Sequence, residues 1–339
     1  MVFITAPRKS IVLLGACATL ALATTSGCGS TIPAVKPAST GAASSSLTAQ
    51  QETLPSAVLR AKLTGKLPAP VQLPAVAANG AGLFAIGGLN SGDASVSTIV
   101  SVSDETSRNA GSLPSAFHDA GATTVAGSTY VFGGGEGGVT RSQILRLSGD
   151  GSGATQVGVL PTGSSDCEAV TIGLTAYVVG GYDGTQGISA IIAYTPGKTA
   201  RTVGHLPVPL RYAAVAAIDG KILVAGGTSG TTVESGIYSF NPATGKTTKL
   251  GKLAKPVTHA AGAALNGRFY VIGGRSDSTT SQVSSIVAID PSSGKASNGG
   301  RLPTAISDMG AARVGKHIVA VGGKDSRGTV HSGVLELAP

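Results

Sequence analysis

The sequence has no tryptophan, and aromatic residues make up only 4% of its 339 positions. Its core must therefore be built from small aliphatic side chains. Charged residues are also sparse, at 12%. Long solvated helix faces need more charge than this, so helices are excluded as the main architecture. The three cysteines, Cys17, Cys28 and Cys167, lack paired zinc-type spacing. Stability must come from packing, without a disulfide framework or a structural metal. Lysine and arginine (25) exceed aspartate and glutamate (17), for a net charge of +8. The basic residues are spread along the chain without a long run, which argues against a nucleic-acid surface. No glycine stretch forms a phosphate loop ahead of a helix, and neither a cofactor nor a metal is expected.

Long apolar runs are missing too, apart from Ile11–Thr24. That run is short for a bilayer span. It follows Arg8 and Lys9 and precedes "TTSGCGS", and it resembles a bacterial lipoprotein signal. The expectation is a signal peptide over 1–27 and lipidation of Cys28. Cys17, in "LGAC", fits the local pattern but leaves a very short apolar region, and an ordinary cleaved signal is the alternative. Residues 28–56, rich in Ser, Thr, Ala and Pro, read as a flexible tether. The chain is then exported to the outer face of the cytoplasmic membrane or the periplasm. It would be monomeric and touch the membrane only through its lipid.

Glycine is plentiful, with 50 residues, and it is periodic. "GRFYVIGGR" at 267–275 is one of several apolar runs that end in a glycine pair. The first glycine of each pair is Gly87, Gly133, Gly180, Gly226, Gly273 or Gly322, at intervals of 46, 47, 46, 47 and 49. A fixed period of this length marks a repeat architecture. Each copy has a small-residue strand, a turn such as Asp219-Gly220, an apolar strand into Gly-Gly, a loop, and two more strands. Asp-Gly suits a type I′ hairpin. Four antiparallel strands per copy make one propeller blade. The last copy stops after its third strand, and "LRAKLTGKLP" at 59–68 matches the missing fourth. The chain over 57–339 therefore reads as all-β, a six-bladed propeller closed by its N-terminal strand.

The glycine pair, the aromatic or aliphatic residue three before it (Phe84, Tyr130, Tyr177, Leu223, Tyr270 and Val319) and the two-residue turn resemble the Kelch repeat, which covers all six copies. The fourth-strand tryptophan usual in that family is replaced by Thr64, Ala110, Val157, Val203, Leu250 and Gly299. The resemblance implies a propeller that presents loops at one end of a central channel.

Polar residues cluster where each copy enters its first strand. His118, Asp119, Asp166, Arg211, Tyr212, His259 and Asp308 would ring the channel mouth. Glu168 stands where the other copies have Ala or Gly, so it would line the channel as a hydrated, paired or pKa-shifted carboxylate. Such a funnel suits a sugar or envelope fragment, with Arg211 meeting an anionic group. The same side chains would also serve to cap turns and tie blades together. Cys167 reads as a buried filler. The favoured function is noncatalytic binding of a small carbohydrate, an envelope component or a protein. The alternative is a sugar-modifying enzyme, similar to the Kelch-type sialic-acid mutarotases. No residue is assigned as catalytic.

Overall fold

The computed structural model describes residues 57–80, 82–103 and 106–339. The expected signal peptide, the tether and Cys28 lie outside these residues. All described elements are strands, and none of the described residues is helical.

Each copy of the repeat forms four antiparallel strands. In the fourth copy, Ala214–Ile218, Lys221–Ala225, Gly236–Asn241 and Lys246–Lys252 pair in that order. Between the first two strands, Asp219 and Gly220 have φ of 49° and 71°. These are the two positive values that a type I′ turn requires. The first, second and third copies form separate four-stranded sheets of the same kind. The fifth and sixth share one eight-stranded sheet. There Leu59–Lys66 pairs antiparallel with Gly333–Ala338, with Arg60 opposite Ala338. The same strand runs parallel to Ala296–Arg301, with Leu59 opposite Gly300. Sequence patterning did not foresee the short ribbons in two of the loops after Gly-Gly, such as Thr228–Ser229 against Thr232–Val233.

The glycine pairs sit where consecutive copies meet. Gly226 has φ +68°, and a Cβ there would lie 2.3 Å from the Val257 carbonyl oxygen. No L side chain fits such an approach. The next amide, Gly227 N–H, donates to that same carbonyl at 2.8 Å. The equivalent bond from Gly323 N–H reaches back to the Val71 carbonyl at 2.9 Å, joining the last copy to the first.

The first strands of the copies pack side by side around a common centre. Their small residues follow from crowding, since a Cβ on Gly310 would lie 2.2 Å from Val76 Cγ2. Apolar clusters fill the spaces between sheets. One joins Ile191 and Val179 to Val215 and Val224. Another joins Val321 and Val334 of the last copy to Leu83 and Val102 of the first.

Candidate functional site

Fourteen residues before each first glycine stand Leu73, Asp119, Asp166, Tyr212, His259 and Asp308. All six are left-handed, with φ between 52° and 63°. A non-glycine residue in this region costs ~1–2 kcal/mol. Asp and His tolerate it better than Tyr or Leu. Their backbones explain why it persists. Asp166 N–H donates to Asp119 O at 2.8 Å, Tyr212 to Asp166 at 3.0 Å, and His259 to Tyr212 at 3.1 Å. Asp308 donates to His259 at 3.0 Å, Leu73 to Asp308 at 2.8 Å, and Asp119 to Leu73 at 3.4 Å. The bonds return to their starting point. The conformation turns each amide toward the preceding copy and each side chain toward the centre.

Asp119, Asp166, Glu168, Tyr212, His259 and Asp308 line one axial cavity of ≈ 40 Å³. That holds a few waters and no sugar. The Arg211 Nε–H donates to Asp166 Oδ2 at 2.5 Å, and its guanidinium lies 4.1 Å from the Tyr182 ring centroid. The Tyr212 hydroxyl donates to Asp119 Oδ2 at 3.3 Å. Burial, then the charges of Asp166 and Asp308, hold the Asp119 carboxyl well above its ordinary value. Burial raises Asp308 as well, opposed by a short hydrogen bond from the Ser307 hydroxyl.

Glu168 opens onto the axial cavity, walled by protein, and burial pushes its carboxyl up to about 7. The Cys167 thiol is buried and pushed up to about 12, which suits a filler and not a nucleophile.

His118 is the expected residue that lines neither the axial cavity nor the cleft beside it. Its Nδ1 meets Ser95 Oγ at 2.9 Å and its Nε2 lies 3.6 Å from Asp119. Burial lowers its pKa.

Beside the axis lies a larger cleft of ≈ 320 Å³, lined by Arg211, Tyr212, Thr258, His259 and Arg275 among others. This is the size of a small-molecule site. Arg275 belongs to the loops after the glycine pairs, whose charged tips the sequence also offers, and not to the strand-entry positions. It directly follows a glycine pair, at the register of Tyr182 and Lys324, and that register was the signal for it. The Arg275 guanidinium donates to His259 Nε2 at 2.8 Å. Arginine can only donate, so Nε2 is an acceptor and the ring proton rests on Nδ1, 3.1 Å from Thr258 Oγ1. Burial, then the charge of Arg275, holds His259 well below its ordinary pKa.

A third cleft, of ≈ 430 Å³, lies on the side of the fifth copy and is predominantly apolar. Val287, which lines it, stands at the register that Tyr238 fills in the fourth copy. Lys255 is the one charged residue lining it. Among the described residues, no His, Cys, Asp and Glu group is arranged to hold a metal ion.

No curated protein matches this sequence. Among solved structures, the one titled "Structure of YjhT" is similar over 81% of this chain and 96% of that one, with a TM-score of 0.70 and 14% identity. A likeness at that identity concerns the fold alone. The Kelch motif model matches residues 209–250, the fourth copy of the repeat. This chain is thus an all-β protein of repeated four-stranded antiparallel sheets, carrying a Kelch motif on a propeller fold.

Proposed function

We propose that the repeats are the six blades of a closed propeller that binds a small hydroxylated ligand, of the sugar class, without transforming it. The six left-handed residues, their cyclic backbone bonds and the strand Leu59–Lys66 support six blades and closure. The observation that carries the binding role is the ≈ 320 Å³ cleft, where Tyr212 and His259 supply a stacked wall and threonine and serine hydroxyls converge. Backbone strain concentrated at one mouth of a rigid scaffold is a mark of functional sites. The signal-like N-terminus supports display at the cell envelope through Cys28, with the ligand an envelope carbohydrate.

Thermal melting against a panel of envelope sugars tests this. A ligand for the folded state raises the melting temperature with concentration. The rise should vanish in Tyr212→Asn, which tolerates the left-handed backbone and removes the ring. No rise with any sugar would turn attention to protein partners.

One observation favours a second reading, an acid–base isomerase of the mutarotase type. The Asp119 carboxyl is held well above its ordinary value, and burial pushes Glu168 up to about 7. Groups poised near neutrality suit proton transfer. The axial cavity that holds them is too small for a sugar, which is why binding is preferred here. Anomer exchange of a bound sugar, followed by NMR, decides between the two. Exchange lost in Glu168→Gln would establish catalysis, and exchange at the uncatalysed rate would remove it.

A further inference from the structure

Arg211 and Arg275 face the same cleft but differ in what holds them. Arg211 is neutralised by Asp166 at 2.5 Å and covered on one face by Tyr182. Arg275 has no such partner. Among the described residues, no carboxylate forms an ion pair with it. Its side-chain hydrogen bond goes to the neutral acceptor of His259. Among the described residues, its other guanidinium N–H groups meet no side-chain or backbone acceptor.

A guanidinium with a free edge in a concave site is matched by a planar or tetrahedral oxyanion, which accepts two parallel N–H bonds. The rest of the cleft wall offers hydroxyls, from Thr228, Thr231, Ser278 and Thr279. Asp277 also lines the cleft, at its exposed rim, and it accepts from Ser276 Oγ at 3.1 Å. It therefore sets an acidic limit on one side of the anion's position.

We infer that the ligand is an anionic sugar, a sugar acid or a sugar phosphate, whose oxyanion is held by Arg275 while its hydroxyls meet the threonines and serines of the cleft. This rests on the binding role proposed above and changes the residue expected from sequence. Arg211, chosen there as the anion contact, is a braced structural cation, and Arg275 is the recognition residue. Tyr212 and His259 form the wall against which the sugar ring lies. His259 keeps Arg275 in place by offering a lone pair without a competing charge.

The test is titration of the intact protein with D-glucuronate, D-glucose 6-phosphate, inorganic phosphate and D-glucose, followed by calorimetry and by the His259 ring resonances. One or both sugar anions should bind and move the His259 signals, with D-glucose at least about tenfold weaker. Glucuronate against glucose 6-phosphate separates the carboxylate from the phosphate source. Arg275→Gln should weaken the anion at least about tenfold, a larger loss than any it causes for glucose. Arg275→Lys keeps the charge without the fork and should fall between, and it covers the case where Gln disturbs the loop. Arg211→Gln should weaken binding less than Arg275→Gln. Glucose binding as tightly as the anions, in both wild type and Arg275→Gln, would overturn the anion and leave the sugar site standing. Loss in Arg211→Gln with none in Arg275→Gln would overturn the assignment of the residue. Phosphate binding as well as its sugar ester would overturn the sugar component, and silence from every probe would overturn both proposals together.

Discussion

The ring of Tyr212 lies on the ring of His259, with centroids 3.7 Å apart and planes 22° from parallel. The two residues belong to consecutive copies and hold equivalent left-handed positions. The contact leaves the His259 side chain 8% exposed. With its pKa well below 6.5, His259 takes up a proton more readily in the unfolded chain than in the folded one. Its contribution to stability is therefore present above pH 6.5 and is lost as the pH falls below that value. Denaturant unfolding between about pH 7 and pH 5 should show a shallower decline for His259→Gln than for wild type. His118 shifts in the same direction, so some slope remains. An unchanged slope would show that His259 is already solvated.

Glu168 works in the opposite sense. Its folded value of about 7 lies above the ordinary 4.5. Stability from the protonated form is complete below 4.5 and lost as the pH rises through 7. Glu168→Gln should therefore be more stable than wild type above pH 7, with the gap closing toward pH 4.5. A gap independent of pH would mean that Glu168 is ionised and hydrated throughout.

Two glycines of similar φ make a matched pair of substitutions. Gly226→Ala places a Cβ 2.3 Å from Val257 O, whereas Gly267→Ala, at φ +72°, meets nothing within 4 Å. The second should cost ~1 kcal/mol, from backbone strain alone. The first adds a clash with the next sheet and should cost ~3 kcal/mol or more. Equal costs in urea unfolding would show that the sheets separate easily at Gly226.

Cys167 should resist alkylation in the native protein at mildly alkaline pH, because burial holds its thiol at about 12. Peptide mapping after iodoacetamide should find it modified only once the chain is unfolded. Rapid native labelling would mean that the packing around the Phe132 and Ser164 carbonyls, its two weak acceptors, opens locally.

Leu59–Lys66 covers the edges of Gly333–Ala338 and Ala296–Arg301. A chain beginning at Leu67 exposes both edges, which invites pairing between molecules. It should melt lower than wild type and associate in light scattering. A monomer of unchanged melting temperature would show that closure contributes nothing to stability.

Much of the fold was legible because its determinants are local. Gly226-Gly227 and Asp219-Gly220 mark positions that only particular backbones tolerate, and the spacing of their equivalents counts the copies. The small first strands announced the crowding seen at Gly310 and Val76. The convergence of Asp119, Asp166, Tyr212, His259 and Asp308 followed from their shared register. Their left-handed backbone did not, since Tyr and Leu give no local reason for it and the cyclic hydrogen bonds impose it from neighbouring copies.

By itself the sequence determined the repeat, the order of strands within it and the set of polar residues that meet at one mouth. Only the tertiary structure decided how they divide the work. Asp166 reaches across from one copy to neutralise Arg211 in the next, and Arg275 finds a neutral imidazole in its place. The axis is filled to ≈ 40 Å³ while a cleft of ≈ 320 Å³ opens beside it. Short-range sterics fix turns and strands from adjacent residues. Charge pairing and free volume depend on distances between residues far apart along the chain, and those exist only once the sheets have packed.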